Sequence, residues 1–346
     1  MIRTVLVCEA QVPFVEGGAE LHVRSLVEQL AARGYDAELV SLPFKWYPKR
    51  EILAHAAAWR LIDLSESNGR SVDRVIATKF PSYFVRHPQK VTWLIHQYRA
   101  AYELCGTEYS DFEHTEEDVA LRAALIDLDT RMLRESRAVF SNARNTAARA
   151  QKFNGVEVEP LYHPPRLADR IRTGPYGDYV LSVGRLETVK RVHLAIEAMR
   201  YVGPAMRLLV AGEGTQRDRL AALVEDAGLG DRVDLLGAVD TDTLLDLYAG
   251  ARAVLYAPFD EDYGYVTLEA FLARKPVITA RDSGGPLEFV EDGVNGQICD
   301  PTPESIAAAI SVYAADERRA ASHGDAGHLR ARTVTWDGVI ERLLGA

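Results

Sequence analysis

The chain has 346 residues, 47% hydrophobic and 26% charged, the balance of a globular protein long enough for two domains of ordinary size. A formal net charge of −10 argues against general nucleic-acid binding, and no apolar stretch approaches the roughly 20 residues that a membrane helix needs. The three cysteines, Cys8, Cys105 and Cys299, are odd in number, far apart and without metal spacing, so a reduced, cytoplasmic setting is expected. The opening residues carry no signal-peptide pattern.

Residues 4–8 are a short apolar run predicted to be a buried strand. A loop over residues 11–17 follows, then Gly17-Gly18-Ala19-Glu20 and an amphipathic run over 21–33. No third glycine stands at the offset that a dinucleotide-binding G-x-G-x-x-G requires, which disfavours a nicotinamide enzyme. Phe44-Lys45-Trp46-Tyr47-Pro48-Lys49-Arg50 interleaves aromatics with cations. That composition fits a loop docking on lipid headgroups at the inner face of a membrane, and equally a surface turn whose aromatics pack inward. Residues 1–165 hold 20 Lys plus Arg against 22 Asp plus Glu, a net of −2, so the remainder carries most of the negative charge. A second apolar strand, 91–95, ends at His96, which reads as a strand-end packing residue or a functional one. Residues 103–137 are helix-rich and acidic and read as an insertion. Breakers at Pro164-Pro165 and Gly174-Pro175 predict a hinge within 160–177.

Beyond it, a strand over 179–183 runs into Gly184-Arg185-Leu186-Glu187-Thr188-Val189-Lys190, two cations five positions apart before a helix predicted over 192–199. Arg offers a planar fork to phosphate oxygens and Lys a compact point charge. Strands near 208–211 and 233–236 each end in glycine, at Gly212 and Gly237. Asp240-Thr241-Asp242 is formally a metal-holding D-x-D, but it precedes a helical run where Asp and Thr are ordinary caps, and capping is favoured. An apolar strand over 253–258 leads to Glu261-Asp262-Tyr263-Gly264-Tyr265-Val266-Thr267-Leu268-Glu269 and a helix predicted over 267–274. Glycine at 264 lets backbone approach an anion, and the N–H groups of Gly264, Tyr265 and Val266 suit phosphate oxygens. Carboxylates on either side suit hydroxyls, because an ionised carboxylate can accept both protons of a vicinal diol. Hydroxyls on both sides of a diphosphate describe a nucleotide sugar. Strand 276–280 precedes Ser283-Gly284-Gly285-Pro286, and Trp336 opens a short amphipathic tail.

The segment from Glu261 to Glu269 resembles the E-x7-E motif of the retaining family 4 glycosyltransferases (glycosyl transferases group 1), and the Arg185–Lys190 element resembles their Gly-Arg-Leu-x-x-x-Lys. Arg191 departs from the glycine usual at its position, which puts the local loop shape in question. The resemblance implies an α/β GT-B fold, two Rossmann-like domains facing across a cleft, with a C-terminal helix returning to the first. The expected division is 1–165 on the acceptor side, 175–325 for the nucleotide sugar and 326–346 as the returning tail. It implies donor binding by Gly17, Gly18, Arg185, Lys190, Gly237, Val239, Glu261, Gly264, Tyr265, Val266 and Glu269. His96, Glu261, Arg185 and Lys190 would be catalytic. Glu261 would hold the sugar and Glu269 the ribose diol, with no metal and no cofactor beyond the GDP- or UDP-linked donor. The implied reaction moves a hexose, mannose by family expectation, to a glycan or lipid-linked acceptor in polysaccharide or glycoconjugate synthesis. A non-catalytic nucleotide-sugar-binding protein and a sugar-nucleotide epimerase or oxidoreductase are the alternatives.

Overall fold

The computed structural model describes residues 2–15 and 17–346, and the chain divides into two compact units. The first comprises Met1–His163 with Thr335–Ala346, the second Pro164–Val334. The expected loop over 11–17 contains Glu16, which lies outside the described residues.

The first unit is built on β1 (Thr4–Gln11), α1 (Gly18–Ala32), β2 (Asp36–Pro43), α2 (Glu51–Leu61), a small hairpin of β3 (Glu66–Ser67) and β4 (Arg70–Ser71), β5 (Arg74–Ala77), β6 (Lys90–Leu94), α3 (Glu116–Arg134), β7 (Ala138–Ser141), α4 (Arg144–Asn154) and β8 (Glu159–Pro160). Its six parallel strands run in the order β2-β1-β5-β6-β7-β8. Alternate residues of β1 serve opposite faces. Val5 and Val7 join α1 through Val23, Leu26 and Leu30, while Cys8 and Ala10 join Trp59, Phe80 and Tyr83 on the other side. Both faces are covered, which is why the strands read as continuous apolar runs.

The second unit contains β9 (Tyr179–Val183), α5 (Val192–Ala198), β10 (Arg207–Ala211), α6 (Arg217–Asp226), β11 (Val233–Gly237), α7 (Thr241–Gly250), β12 (Ala253–Leu255), α8 (Tyr265–Leu272), β13 (Val277–Ala280), β14 (Gly296–Cys299), α9 (Pro303–Ala315) and α10 (Glu317–Ala331). Its parallel sheet has the order β11-β10-β9-β12-β13-β14. Counted within the unit this is the doubly wound 3-2-1-4-5-6 arrangement. Each unit is therefore Rossmann-like, the pair that makes up the GT-B fold class.

The closing helix α11 (Trp336–Gly345) packs Val339, Ile340 and Leu343 into the core face that β1 and α1 share in the first unit. Arg74 donates to the Leu344 and Ala346 carbonyls at 2.9 and 2.7 Å. The returning segment is shorter than the expected 326–346, because α10 continues through Ala331 and belongs to the second unit.

Candidate functional site

In the second sheet the strand order reverses between β9 and β12, and open α/β sheets bind ligands outside the carboxyl ends of strands at such a switch point. β9 hands over to Gly184 and Arg185 there, and β12 to Tyr256. The Lys190 ammonium is paired with the Glu261 carboxylate. It also lies 3.2 Å from the Tyr256 hydroxyl, which donates to Glu261 Oε2 at 2.9 Å. Burial, then the charges of Glu261 and Glu269, push the Tyr256 phenol well above its ordinary pKa, while Arg185 pulls the other way. The four charged residues expected from the sequence thus surround one phenol. Arg185 and Lys190 line a small cavity with Gly184 and Tyr256.

Glu269, on α8, accepts a hydrogen bond from the buried Tyr248 hydroxyl of α7 at 2.7 Å. Burial raises its carboxyl above the ordinary value, and the phenol draws it partly back.

The loops after β9, β12 and β13 are laced together by backbone. Phe259 N–H donates to Val189 O at 2.8 Å, Asp260 to Asp282 O at 2.9 Å, Glu261 to Ser283 O at 2.9 Å, and Gly285 to Glu261 O at 2.7 Å. A Cβ on Gly285 would stand 2.7 Å from both the Asp262 and Tyr263 carbonyl oxygens, so only glycine permits this approach. Gly264 caps α8 at φ +82°, and α8 starts two residues before the expected 267 because that turn delivers Tyr265 directly into the helix. The strand expected over 253–258 stops at Leu255. Its continuation turns outward to carry Glu261, and Pro258 has no N–H to extend a ladder.

Arg191 answers the question that its departure from glycine raises. It takes the left-handed conformation, φ +52° and ψ +35°, that glycine adopts without cost. Its guanidinium donates to Asp282 Oδ2 and Oδ1 at 2.8 and 2.7 Å and to the Ala257 and Pro258 carbonyls at 3.1 and 2.7 Å. The conformation costs about 1–2 kcal/mol. Hydrogen bonds to a charged group contribute about 1.5–3 kcal/mol each, so the clamp outweighs the strain.

Other expected positions have packing roles in this structure. A Cβ on Gly212 would meet Gly184 O at 1.9 Å, and one on Gly214 would meet Leu186 O at 2.5 Å. Gly237, at φ +73°, lies against Glu213 and Arg217, and half-buried Val239 follows it. Asp240 caps α7 by accepting from Thr243 N–H at 2.8 Å, and exposed Asp242 pairs with Arg170 and Arg172. Among the described residues, no group of three or more His, Cys, Asp or Glu is placed to hold a metal ion.

The remaining candidates lie in the first unit. Gly17 N–H donates to Glu20 Oε2 at 2.9 Å in a capping box, so an expected phosphate donor is engaged by the helix it precedes. Glu20 is paired in turn with buried Lys79, at the carboxyl end of β5. Exposed Gly18 opens α1. His96 follows β6, half-buried, with Nδ1 2.8 Å from the Gln97 carbonyl oxygen. In the 44–50 loop, Phe44 is buried against Phe80 and Tyr98, and Lys49 Nζ binds Asp118 at 2.8 and 2.9 Å. Tyr47 is exposed, with the Lys45 ammonium 4.9 Å from its ring centre.

Tyr256, Tyr248, Asp282 and Lys79 are contributions that the motifs did not announce. A tyrosine ending an apolar strand looks like core, and only its reach to Glu261, five residues on, gives it away.

Residues 171–330, nearly all of the second unit, match the family model described as glycosyl transferases group 1. The human alpha-1,3/1,6-mannosyltransferase ALG2 is 31% identical over 185 residues, 49% of this chain and 44% of its own. Several curated relatives, ALG2 among them, are matched over less than half of their length. The lipopolysaccharide core biosynthesis glycosyltransferase LpsE of Rhizobium meliloti is 28% identical, covering 90% of each chain. In fold, the chain is similar to Anabaena HepE, solved in complex with UDP and glucose, at a TM-score of 0.71 and 18% identity, covering 99% of this chain and 100% of that one.

Proposed function

We propose that the protein is a retaining glycosyltransferase moving a hexose from a nucleoside-diphosphate sugar to a glycan or lipid-linked acceptor, in the synthesis of cell-surface polysaccharide or glycoconjugate. The observation that carries this reading is the convergence of Arg185, Lys190, Glu261 and Glu269 on Tyr256 at the switch point of the second sheet. Departure of the diphosphate builds negative charge on the leaving oxygen, and preplaced cations stabilise that charge most where water is excluded. Arg185 supplies a fork and Lys190 a point charge. The arriving diphosphate draws Lys190 from Glu261, whose carboxylate turns to the sugar hydroxyls, while Glu269 takes the ribose diol. N–H groups of Gly264, Tyr265 and Val266 hold phosphate oxygens. Gly18, and Gly17 once its N–H leaves Glu20, contribute backbone to the donor phosphates, and backbone around Gly237 and Val239 flanks the base. His96 bonds a sugar hydroxyl and favours the positive charge that develops at the anomeric carbon. The acceptor proton passes to the departing phosphate oxygen on the same face, so no enzymic nucleophile is required.

The two cations make a metal unnecessary, and activity should survive a chelator. A mannosyltransferase among the relatives and a fold neighbour bound to UDP and glucose make GDP-mannose and UDP-glucose the first donors to try. No helix of the described residues is long and apolar enough to cross a membrane. Contact with the inner membrane face would run through Lys45, Tyr47 and Arg50, and Lys45→Ser with Arg50→Ser should weaken co-sedimentation with anionic vesicles. The deciding experiment incubates the protein with each donor and follows nucleoside diphosphate release and, with acceptor, the anomeric configuration of the product by NMR. An inverted product would overturn retention. Saturable binding with neither hydrolysis nor transfer would identify a non-catalytic binder.

A further inference from the structure

We infer that Arg191 and Asp282 form a positioning clamp that sets the Glu261 loop for the sugar half of the donor, an inference that rests on the function proposed above. Arg191 follows Lys190 directly, yet its side chain points elsewhere, 7% exposed and closed over the loop after β12. Its Nε and Nη2 hold the Ala257 and Pro258 carbonyls, the residues that turn the chain from β12 towards Glu261. Nη1 and Nη2 grip both oxygens of Asp282, whose own carbonyl accepts from Asp260 N–H. One guanidinium therefore ties together the loops after β9, β12 and β13. Glu261 lies at the far end of the held segment, three residues beyond Pro258, and bonds backbone to backbone with Ser283 beside Asp282. A glycine would satisfy the left-handed backbone at 191 and provide none of these bonds. The arginine is this chain's own means of holding the loop.

Arg185 stands outside the clamp, and the turn carrying Lys190 keeps its backbone bonds to Glu187 and Thr188 without it. Loss of the clamp should therefore spare the grip on diphosphate and loosen the grip on the sugar. A merely structural residue would weaken both together. The test compares the wild type with Arg191→Gly and Asp282→Asn, measuring affinities for UDP, GDP, UDP-glucose and GDP-mannose by calorimetry and turnover on the better donor. Glycine suits the 191 backbone and Asp282 is about one-third exposed, so Arg191→Gly should fold, which its melting curve checks. Asp282→Asn keeps the carbonyl contacts of Arg191 and serves as a milder second variant.

The expected result is nucleoside diphosphate affinity within about threefold of wild type. Sugar-nucleotide affinity and kcat should fall roughly tenfold or more in Arg191→Gly and less in Asp282→Asn, as for a displaced positioning group. Equal losses for diphosphate and sugar nucleotide, or no loss in either variant, would overturn the clamp while leaving the glycosyltransferase reading intact. A wild type that binds no nucleotide at all would overturn both, and is recognised before any variant is made.

Discussion

Glu261 and Glu269 differ in what surrounds them, and the difference gives each its own test. Glu261 is held by a cation and a phenol, so Glu261→Gln should keep the fold and lower donor turnover by about a hundredfold, as for other preorganised polar groups. Wild-type turnover in that variant would remove Glu261 from the reaction. Glu269 is raised by burial and drawn down by Tyr248. A ribose diol needs the ionised carboxylate, so donor affinity falls as pH drops through the Glu269 pKa. Tyr248→Phe removes the hydrogen bond that draws the carboxyl down and raises that pKa further, so the loss of affinity should begin at a higher pH than in wild type. Unchanged pH profiles would separate Glu269 from donor binding. These acids were legible in the sequence because motif spacing carries charge and turn chemistry together. Tyr248 and Tyr256 were not legible, since a phenol's partner is chosen by which helix and loop lie across from it.

At the scale of elements, turns were harder to read than strands. Apolar runs at 4–8 and 179–183, and that at 91–95 up to Leu94, lie in parallel strands, because burial on both faces leaves an unbroken apolar signature. The start of α8 and the end of β12 depended on Gly264 and on the pairing of Glu261 with Ser283 and Gly285, contacts between segments over twenty residues apart. Gly285→Ala drives a Cβ against two carbonyl oxygens and should destabilise the protein by about 1–3 kcal/mol. Gly203→Ala meets nothing within 4 Å and should melt as wild type does. Equal melting temperatures for the two variants would contradict the close approach at 285. The closing helix invites a similar test. Leu343→Ala empties a fully buried position between α11 and the first sheet and should cost about 2–5 kcal/mol, read by urea denaturation.

Across the whole molecule, buried ionisable groups set how stability responds to acid. His22 is enclosed with Trp93, His163 and Trp336 where α11 packs in the first unit. Burial, assisted by the charge of Lys79, pushes its imidazole down to about 3, and burial lowers His163 as well. Between that value and the unfolded value of about 6.5 the unfolded chain binds more protons, so these histidines weaken the fold as pH falls. Asp129 works in the opposite direction. Burial raises it to about 7, so from that pH down towards its unfolded value of about 3.9 the folded chain holds the extra proton. Asp129→Asn should therefore lose melting temperature more steeply than wild type between about pH 7 and about pH 5, and equal slopes would show that Asp129 does not hold its proton there. None of this was visible beforehand, because His22, Asp129 and His163 acquire their environments from residues more than a hundred positions away in places. The motifs from Arg185 to Glu269 carried the family resemblance, the α/β class and the charged groups of the site, since local periodicity and glycine placement are encoded in neighbouring residues. Packing alone assigned Tyr256 to Glu261, closed Arg191 on Asp282 and turned Phe44 inward. Arg191 and Asp282 stand ninety-one positions apart and Phe44 and Phe80 thirty-six, so chain folding is what brings their atoms together, while the Gly17–Glu20 bond is local and needed only the start of α1.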